Sequence, residues 1–337
     1  MGLLSLLALA GGSVFLILRG PRKFTIILLP DTQAYAESRP DILQDQIDWI
    51  LDQSEPRNIV FVLQVGDLVE HFDNDAEWQI VDSAFRQLEG KVPFSVLPGN
   101  HDMSPVRDAS FYNRIFPPSR FEGYGWYGGS YPPETNDNSY QVFSAGGYDL
   151  GPLALAADRF LILNLQFCPT PDVVAWAQGV LSRHADRHAI IVTHAYLNVH
   201  GGRNIHPPSG GCTAATENTR YLFDELAYPN PNVFLVLSGH EYDTQDLDGE
   251  ADRVDVNVAG EPVYQLTSDF QRRPGGGGGW LRILGFNKKL GQVIVRTYSP
   301  TLGSYEKDGD SELILPFPGL SLPQEQTILH PYASPSP

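Results

Sequence analysis

Short apolar runs alternate with amphipathic stretches over the first two thirds of the chain. Runs of branched and aromatic residues, typical of strands buried on both faces, occur at residues 24–29, 58–65, 93–97, 160–165, 189–193 and 233–237. Between them, apolar residues at helical spacing predict helices that begin at Pro40, at Asn74 or Asp75, at Pro171 and near Glu217. This alternation predicts parallel strands joined by right-handed helical crossovers.

After residue 250 the pattern changes to short strands without helices. Residues 254–258, 262–266, 280–284 and 292–297 are apolar segments separated by turn residues. We expect them to form the second sheet of the same domain. Residues 117–139 are rich in Pro, Gly and Tyr and predict a long surface loop, a kind of loop that is often functional.

The two ends of the chain differ from its centre. Residues 3–18 carry no charge and three basic residues follow them, so we predict an export signal or a membrane anchor over residues 1–23. Either would make the protein secreted, or membrane-associated outside the cytoplasm. The alternative is that part of this run adds a strand to the fold. We expect a globular domain over residues 24–315 and a loosely attached, proline-rich tail over residues 316–337.

Composition narrows the classes of partner. The 337 residues include 23 basic and 40 acidic side chains, which gives a net charge of −17. Such a balance disfavours nucleic acid and anionic lipid, since both are bound through clustered Lys and Arg. A small phosphate ester can still bind where metal ions reverse the local field. The pattern favours no particular oligomeric state.

The chain has two cysteines, Cys168 and Cys212, and no C-x-x-C pair. A zinc ribbon or a thioredoxin-like site is therefore excluded. We expect two buried free thiols. The alternative is one disulfide between two loops, which would need an oxidising compartment.

Polar residues with metal-binding side chains follow directly on the predicted strands. These strand ends carry three carboxylates, one amide and three imidazoles, namely Asp31, Asp67, Asn100, His101, Asp102, His194 and His240. Ligand sites of open α/β sheets lie beyond the carboxyl ends of the strands, so we expect these side chains to converge on one crevice. Gly66, Gly99 and Gly239 let the backbone turn sharply there.

The combination of these residues carries more weight than any single member. A lone Asp after a strand is ordinarily a turn former, and a lone His there is ordinarily a hydrogen-bonded structural residue. A mixed set of oxygen and nitrogen donors suits divalent first-row metals, and Asp67 is the best candidate to bridge two of them. The tetrapeptide Gly99-Asn100-His101-Asp102 is the most specific element.

Five short motifs occur in one order over about residues 24–300. They are D-x-Q (Asp31, Gln33), G-D (Gly66, Asp67), G-N-H-D (residues 99–102), T-H (Thr193, His194) and G-H (Gly239, His240). In this order they resemble the calcineurin-like metallophosphoesterase family. The resemblance implies an α/β fold, a four-layer α-β-β-α sandwich with two central mixed sheets.

The resemblance also implies a pair of divalent metal ions. Asp31 would bind the first ion and Asp67 would bridge the two. The ligands of the second ion would be Asn100, His194 and His240. The expected function is hydrolysis of phosphomonoesters or phosphodiesters, with a hydroxide held by the binuclear centre as the nucleophile.

The first metal site departs from the family pattern at two positions. Gln33 stands where the family has a histidine, and Tyr242 replaces the second histidine of G-H-x-H. Asp243 and Glu241 are the alternative ligands in place of Tyr242. An oxygen-rich first site should favour Mn²⁺ above all, and Fe or Mg²⁺ over Zn²⁺.

His101 and Asp102 are the predicted catalytic pair. By the resemblance, His101 would protonate the leaving group or stabilise charge on the phosphate, and Asp102 would orient His101. Arg107, Tyr196 and His206 are the predicted substrate-binding residues. Weaker candidates for the same pocket are His200, Arg203, Arg272 and Arg273.

Other functions receive less support from the sequence. The departures at Gln33 and Tyr242 favour, as the main alternative, a metal-binding or interaction protein that kept the fold and lost much of the chemistry. A serine hydrolase is disfavoured because no G-x-S-x-G occurs. The acidic surplus disfavours a nuclease.

Overall fold

The computed structural model describes residues 23–145, 158–203 and 219–317. Within these ranges the strands are β1 (Lys23–Leu29), β2 (Ile59–Gln64), β3 (Phe94–Ser95), β4 (Tyr127–Tyr131), β5 (Asn138–Ala145), β6 (Asp158–Leu165), β7 (His188–Ala195), β8 (Val233–Gly239), β9 (Glu250–Val256), β10 (Pro262–Ser268), β11 (Leu281–Asn287), β12 (Gln292–Ser299), β13 (Ser304–Tyr305) and β14 (Glu312–Pro316). The helices are α1 (Gln33–Ser38), α2 (Pro40–Gln53), α3 (Asp75–Arg86), α4 (Ser110–Ile115), α5 (Pro171–Arg183) and α6 (Thr219–Leu222), which continues as a π-helical turn over Phe223–Ala227.

The strands form two mixed sheets of seven strands each in the described part of the chain. The first sheet has the order β13-β12-β11-β1-β2-β3, with β14 also paired to β12, and the second has the order β4-β5-β6-β7-β8-β10-β9. β1, β2 and β3 are parallel, as are β6, β7, β8 and β10. The carboxyl ends of parallel strands therefore gather at one edge of each sheet.

Three apolar clusters hold the layers together. Phe24, Ile26 and Leu28 of β1 pack between the two sheets, whereas Ile27 and Leu29 point the other way, toward α2 and α3. A third cluster joins the outer face of the second sheet to α5 and to residues 219–227. This arrangement is the predicted α/β fold, with helices outside two central mixed sheets.

Two of the predicted helix starts are confirmed at the residue level. α2 begins at Pro40, whose missing N–H is no loss at this position. Asn74 caps α3, since its side-chain oxygen accepts a hydrogen bond from the N–H of Ala76 at 3.1 Å.

The prediction that the late strands form a sheet of their own is wrong. β9 and β10 extend the second sheet beyond β8, whereas β11 to β14 extend the first sheet beyond β1. β11 pairs antiparallel with β1, with Ile27 opposite Ile283. Pairing with β11 thus covers the edge of β1 that faces away from β2. Local periodicity in the sequence does not predict this contact between distant segments.

Residues 117–139 contain more regular structure than the predicted long loop. They include a short 3₁₀ turn at Pro118–Arg120, the strand β4 and the first residues of β5. At the other end, β14 reaches Pro316 and Phe317 is buried between the sheets, so packed chain continues two residues past position 315. No helix within the described ranges has the length and apolarity needed to cross a bilayer. Residues 1–22, on which the predicted signal or anchor falls, lie outside those ranges.

Candidate metal centre

Both sheets present their carboxyl edges to one site. Asp31, Asp67 and Asn100 follow β1, β2 and β3 of the first sheet. His194 lies in the last two residues of β7, and His240 follows β8 directly, both in the second sheet. The topology thus brings together five side chains that are up to 209 positions apart in the chain. The most distant two residues are in contact, because the backbone N–H of His240 donates a hydrogen bond to Asp31.

Three potential metal-binding atoms surround a fourth, Nε2 of His194. This nitrogen lies 3.0 Å from Oδ1 of Asn100, 3.2 Å from Oδ2 of Asp67 and 3.1 Å from Nδ1 of His240. The other ring nitrogen, Nδ1, lies 2.9 Å from the carbonyl oxygen of Val65. Because a carbonyl oxygen only accepts, Nδ1 carries the hydrogen in the neutral ring and Nε2 presents a lone pair.

Lone pairs that face one another at this distance require a cation or a proton between them. Burial alone would lower the pKa of His194, but the adjacent Asp67 carboxylate outweighs it and raises the pKa. Burial likewise opposes ionisation of Asp67, and the neighbouring His194 more than offsets it, which lowers the pKa of that carboxyl. The oxygen and nitrogen donors present therefore fit a divalent first-row metal.

Glycines allow the backbone to approach the two carboxylates. A Cβ atom built on Gly239 would collide with Oδ1 of Asp31, and one built on Gly99 would collide with Oδ1 of Asp67. The close approach at Gly239 lets the N–H of His240 donate to both oxygens of Asp31, at 3.1 and 3.3 Å. The predicted role of these glycines is thus extended, because they seat the carboxylates as well as turning the chain.

Asp269 is a third buried carboxylate near Asp31 and Asp67. It follows β10 directly and is 1% exposed, against 3% for Asp31 and 2% for Asp67. Burial raises the pKa of Asp31 well above its ordinary value, and the charges of Asp269 and Asp67 add to this. Carboxylates crowded in this way are stabilised by a cation.

Asp269 is not among the site residues predicted from the sequence. A signal exists, because Asp269 follows an apolar strand as Asp31 and Asp67 do. The prediction of a separate sheet for β10 places Asp269 away from the strands that carry the other candidate ligands.

Gln33 and Tyr242, the two departures from the family pattern, are placed differently. Oε1 of Gln33 is buried and makes no hydrogen bond within the described structure, so it remains available to a metal. The phenol oxygen of Tyr242 instead accepts a hydrogen bond from Arg272 Nη2 at 3.0 Å, with the guanidinium 4.4 Å from the ring centroid. A cation on the phenol disfavours the predicted metal-ligand role of Tyr242.

Asp243, considered as a replacement ligand, closes a local turn. Its Oδ1 accepts a hydrogen bond from the N–H of Gln245 at 2.6 Å. Such side chain to backbone bonds two residues on are typical of Asp in turns. Asp269 is therefore the better placed additional carboxylate.

Asp102 does not orient the His101 ring, contrary to the prediction. Its oxygens accept hydrogen bonds from the N–H groups of Gly99, Leu68 and Val69, at 2.8, 2.9 and 3.1 Å. Asp102 therefore ties together the loops that carry Asp67 and Asn100. Burial and the nearby Asp67 raise the pKa of Asp102 to about 7, against the opposing effect of these N–H groups.

The carbonyl oxygen of Glu70 holds the His101 ring instead. Nδ1 of His101 lies 2.9 Å from this oxygen, and the backbone N–H of His101 donates to Oδ1 of Asp67 at 2.8 Å. Burial lowers the pKa of His101, but the Asp67 carboxylate and the Glu70 carbonyl raise it overall. Nε2 is thus the nitrogen left for a substrate.

Arg107 is engaged with the backbone of a neighbouring loop. Its Nη2 donates to the carbonyl oxygens of Phe167 and Cys168, both at 2.6 Å. The Phe167 ring packs against His194 and His240, with centroids 5.7 and 5.3 Å apart. Arg107 thus supports the aromatic wall of the site, and contact with substrate remains a prediction.

The other predicted substrate residues are buried, are held in ion pairs or lie outside the described ranges. Tyr196 is 3% exposed and packs in the cluster between the second sheet and its outer helices, so its contact with substrate stays a prediction. His206 lies outside the described residues. Arg203 pairs with Asp255 at 3.0 Å, and Arg273 pairs with Glu306 at 2.6 Å.

Cys168 is disulfide-bonded, so the prediction of two free thiols is wrong. The sequence contains one other cysteine, Cys212, which lies outside the described residues. The alternative that the sequence leaves open, a disulfide, therefore applies to Cys168.

The family model for calcineurin-like phosphoesterases matches residues 24–243. The chain belongs to this family. The chain is also 35% identical over 291 residues to "Uncharacterized protein YvnB" of Bacillus subtilis (strain 168). The match covers 85% of this chain and 20% of that protein, so the chain spans about a fifth of its relative's length.

One solved structure shows the same fold at low sequence identity, and a second has a slightly lower TM-score. Purple acid phosphatase PPD1 from yellow lupin (Lupinus luteus) seeds is 11% identical with a TM-score of 0.52, covering 84% of this chain and 52% of that one. GAP50 of Plasmodium is 11% identical with a TM-score of 0.49, covering 89% and 91%. The family that the five motifs predicted is confirmed by the match of the family model over residues 24–243.

Proposed function

We propose that this chain is a metal-dependent phosphoesterase that hydrolyses phosphomonoesters or phosphodiesters at a binuclear centre. The observation that carries the proposal is the convergence of Asp67, Asn100 and His240 on the lone pair of His194 Nε2, within 3.2 Å. Two divalent cations, with Mn²⁺ as the preferred metal, would polarise the phosphate oxygens and lower the pKa of a water molecule.

Asp67 is suited to serve both ions because of where its oxygens lie. Oδ2 faces His194, whereas Oδ1 accepts from the backbone N–H of His101 and keeps further lone pairs. Asp31 and Gln33 would serve the first ion, and Asn100, His194 and His240 the second. The protein contributes a fixed, buried set of donors that needs little rearrangement as charge develops.

His101 is suited to give a proton to the departing oxygen. The Glu70 carbonyl holds Nδ1, which leaves Nε2 to face a substrate. The ring side chain is 34% exposed, so it lies at the mouth of the site. Because its pKa is raised, a larger fraction of His101 is protonated near neutral pH.

The preferred substrate is a small phosphate ester in an oxidising compartment. The net charge of −17 favours a small ligand over nucleic acid. The disulfide at Cys168 supports export, since such bonds persist outside the reducing cytoplasm. Secretion or an N-terminal membrane anchor would both satisfy this requirement.

The proposal is tested with p-nitrophenyl phosphate and bis-p-nitrophenyl phosphate in the presence of Mn²⁺, Mg²⁺, Fe²⁺ or Zn²⁺. We expect turnover with Mn²⁺ and a loss of about a thousandfold in kcat/KM for Asp67→Asn, since several kcal/mol of charge stabilisation disappear. Asp186→Asn, which alters an exposed ion pair with Arg159, is the matched control and should retain activity. Absence of turnover with every metal, or full activity of Asp67→Asn, would refute the proposal.

A second candidate function is a metal-binding protein with little catalysis. The hydrogen bond from Arg272 to Tyr242 favours it, because the first site then has one ligand fewer than the family pattern. Metal analysis of the purified chain separates the two functions. The enzyme should hold two ions per chain, and the weakened protein should hold one at most.

A further inference from the structure

The side-chain amide of Gln33 faces two acceptors that fix its orientation. Its Nε2 donates to Glu70 Oε2 and to Gln271 Oε1, both at 2.9 Å. An amide nitrogen carries two hydrogens, so both are used. In the flipped orientation the Gln33 oxygen would face two other oxygens, which is repulsive. The oxygen end of Gln33 is therefore the end left unbonded.

Gln271 is oriented in the same way by Asp269. Its Nε2 donates to Asp269 Oδ2 at 2.7 Å, and its backbone N–H donates to Asp269 Oδ1 at 3.0 Å. The Gln271 oxygen is thereby turned toward Gln33. Because Asp269 is almost completely buried, these bonds are shielded from competition by water.

Oε1 of Gln33 has no hydrogen-bond partner among the described residues, although it is buried. Leaving such an oxygen without a partner is unfavourable, because it loses its hydrogen bonds to water and gains none from the protein. Native structures keep few such atoms, and those they keep call for an explanation such as a bound ion. Gln33 lies two residues after Asp31 on the same turn of chain, where a cation would supply the missing partner.

We propose that Asp269, Gln271 and Glu70 form a clamp that presents the Gln33 oxygen to the first metal ion, an inference that rests on the proposed metal-dependent function. These three positioning residues are called the Gln33 clamp. A histidine at position 33 could not fill this place, because a metal-bound imidazole has one N–H to donate and the clamp offers two acceptors. The clamp therefore makes the first site one of oxygen donors, which suits hard cations such as Mn²⁺.

The test is Gln271→Met in the full chain, titrated with Mn²⁺. Ions per chain are counted by elemental analysis after gel filtration, and pairing of the ions is followed by electron paramagnetic resonance. Loss of an orienting partner typically weakens metal binding by about 10–100-fold. We expect one ion per chain at the Mn²⁺ concentration that loads two in the natural chain. The spectrum of a coupled Mn²⁺ pair should become that of an isolated ion.

Gln87→Met is the matched control. It removes an amide pair of the same kind, with Gln44, between α2 and α3 and outside the site. The control should hold two ions. Melting without metal reports folding of each variant, and Gln271→Asn, too short to reach both partners, replaces Gln271→Met if the latter does not fold.

Each result has a separate meaning. Two coupled ions in Gln271→Met, or the same loss in Gln87→Met, would overturn the clamp and leave the proposed function standing. A natural chain that holds one ion would also overturn the clamp, since the first site would then be empty without any substitution. A natural chain that binds no ion would overturn the proposed function itself.

Discussion

Carboxylates gather at two places in the part of the chain that the structure describes, and their charge is neutralised by different means at each. At the metal centre, Asp31, Asp67 and Asp269 are buried beside imidazoles and an unpartnered amide oxygen. The second place, here called the acidic cluster, consists of two groups of three carboxylates that share Asp248, and within each group the oxygens lie within 4.8 Å of one another. Its members are Asp248, Glu250, Glu306, Asp308 and Asp310.

The acidic cluster contains its own cations. Arg282 Nη1 lies 2.5 Å from Glu250, and the two side chains are 1% and 0% exposed. Arg273 lies 2.6 Å from Glu306 and 3.0 Å from Asp248. Proximity of carboxylates is therefore a poor guide to a metal site. The candidate metal centre differs from the acidic cluster because no guanidinium group of the described residues pairs with its converging lone pairs.

The largest expected effect comes from removing a cation of the acidic cluster. Arg282→Met would leave Glu250 buried and unpaired, which should lower the free energy of unfolding by about 3–5 kcal/mol. Urea denaturation measures the loss. Arg296→Met, which removes an exposed pair with Glu312 in the same sheet, is the control and should cost at most about 1 kcal/mol. An equal loss of unfolding free energy in the two variants would contradict the conclusion that arginine neutralises the buried carboxylates of the acidic cluster.

A smaller effect is expected from adding metal. Mn²⁺ at a hundred times its dissociation constant should stabilise the folded chain by about 2.7 kcal/mol, which raises the melting temperature. The increase should vanish in His194→Ala, which removes a donor of the metal centre. It should persist in Glu306→Gln, because the acidic cluster is neutralised by arginine. Loss of the increase in Glu306→Gln alone would move the metal site to the acidic cluster.

The smallest expected effect is a dependence of stability on pH that originates in the acidic cluster. Burial and neighbouring carboxylates raise the pKa values of Asp248 and Asp310 from 3.8 to about 7. The folded state therefore favours their protonated forms more than the unfolded state does. Stability from these groups is present at about pH 4 and is lost as the pH rises to about 7.

Melting temperatures of Asp310→Asn and the natural chain across this range measure the effect. The variant should show a shallower decline between about pH 4 and 7, because one of the raised carboxyls is gone. Asp186→Asn, at an exposed ion pair, should follow the natural chain. A steeper decline in Asp310→Asn would mean that the cluster gains stability from its ionised carboxylates.

Much of the fold and of the site could be read from local patterns. Continuous apolar runs located β1, β2 and β6 to β8, and each candidate ligand was found by its place just after such a run. Asn74 and Pro40 marked helix starts because capping depends on neighbouring residues alone. Short-range interactions of this kind are encoded within a few positions of the chain.

Local sequence patterns do not predict contacts between distant segments. The amides of Gln33 and Gln271 meet across 238 positions, because the loop after β10 comes to lie beside the start of α1 in the folded sheets. Asp102 binds the backbone of Leu68 across 34 positions, in place of the adjacent His101 ring. The burial of Tyr196 likewise depends on the helices that cover the second sheet.

The order of residues alone was sufficient for the strand ends, the five residues that converge at the candidate centre and the family, since each of these depends on neighbouring positions and side-chain chemistry. Tertiary packing decided which sheet each late strand joined, which carboxylates crowd together and which of them meet an arginine. Those outcomes depend on how sheet edges pair and how layers stack. They arise from burial and charge summed over the whole domain, which no short stretch of sequence contains.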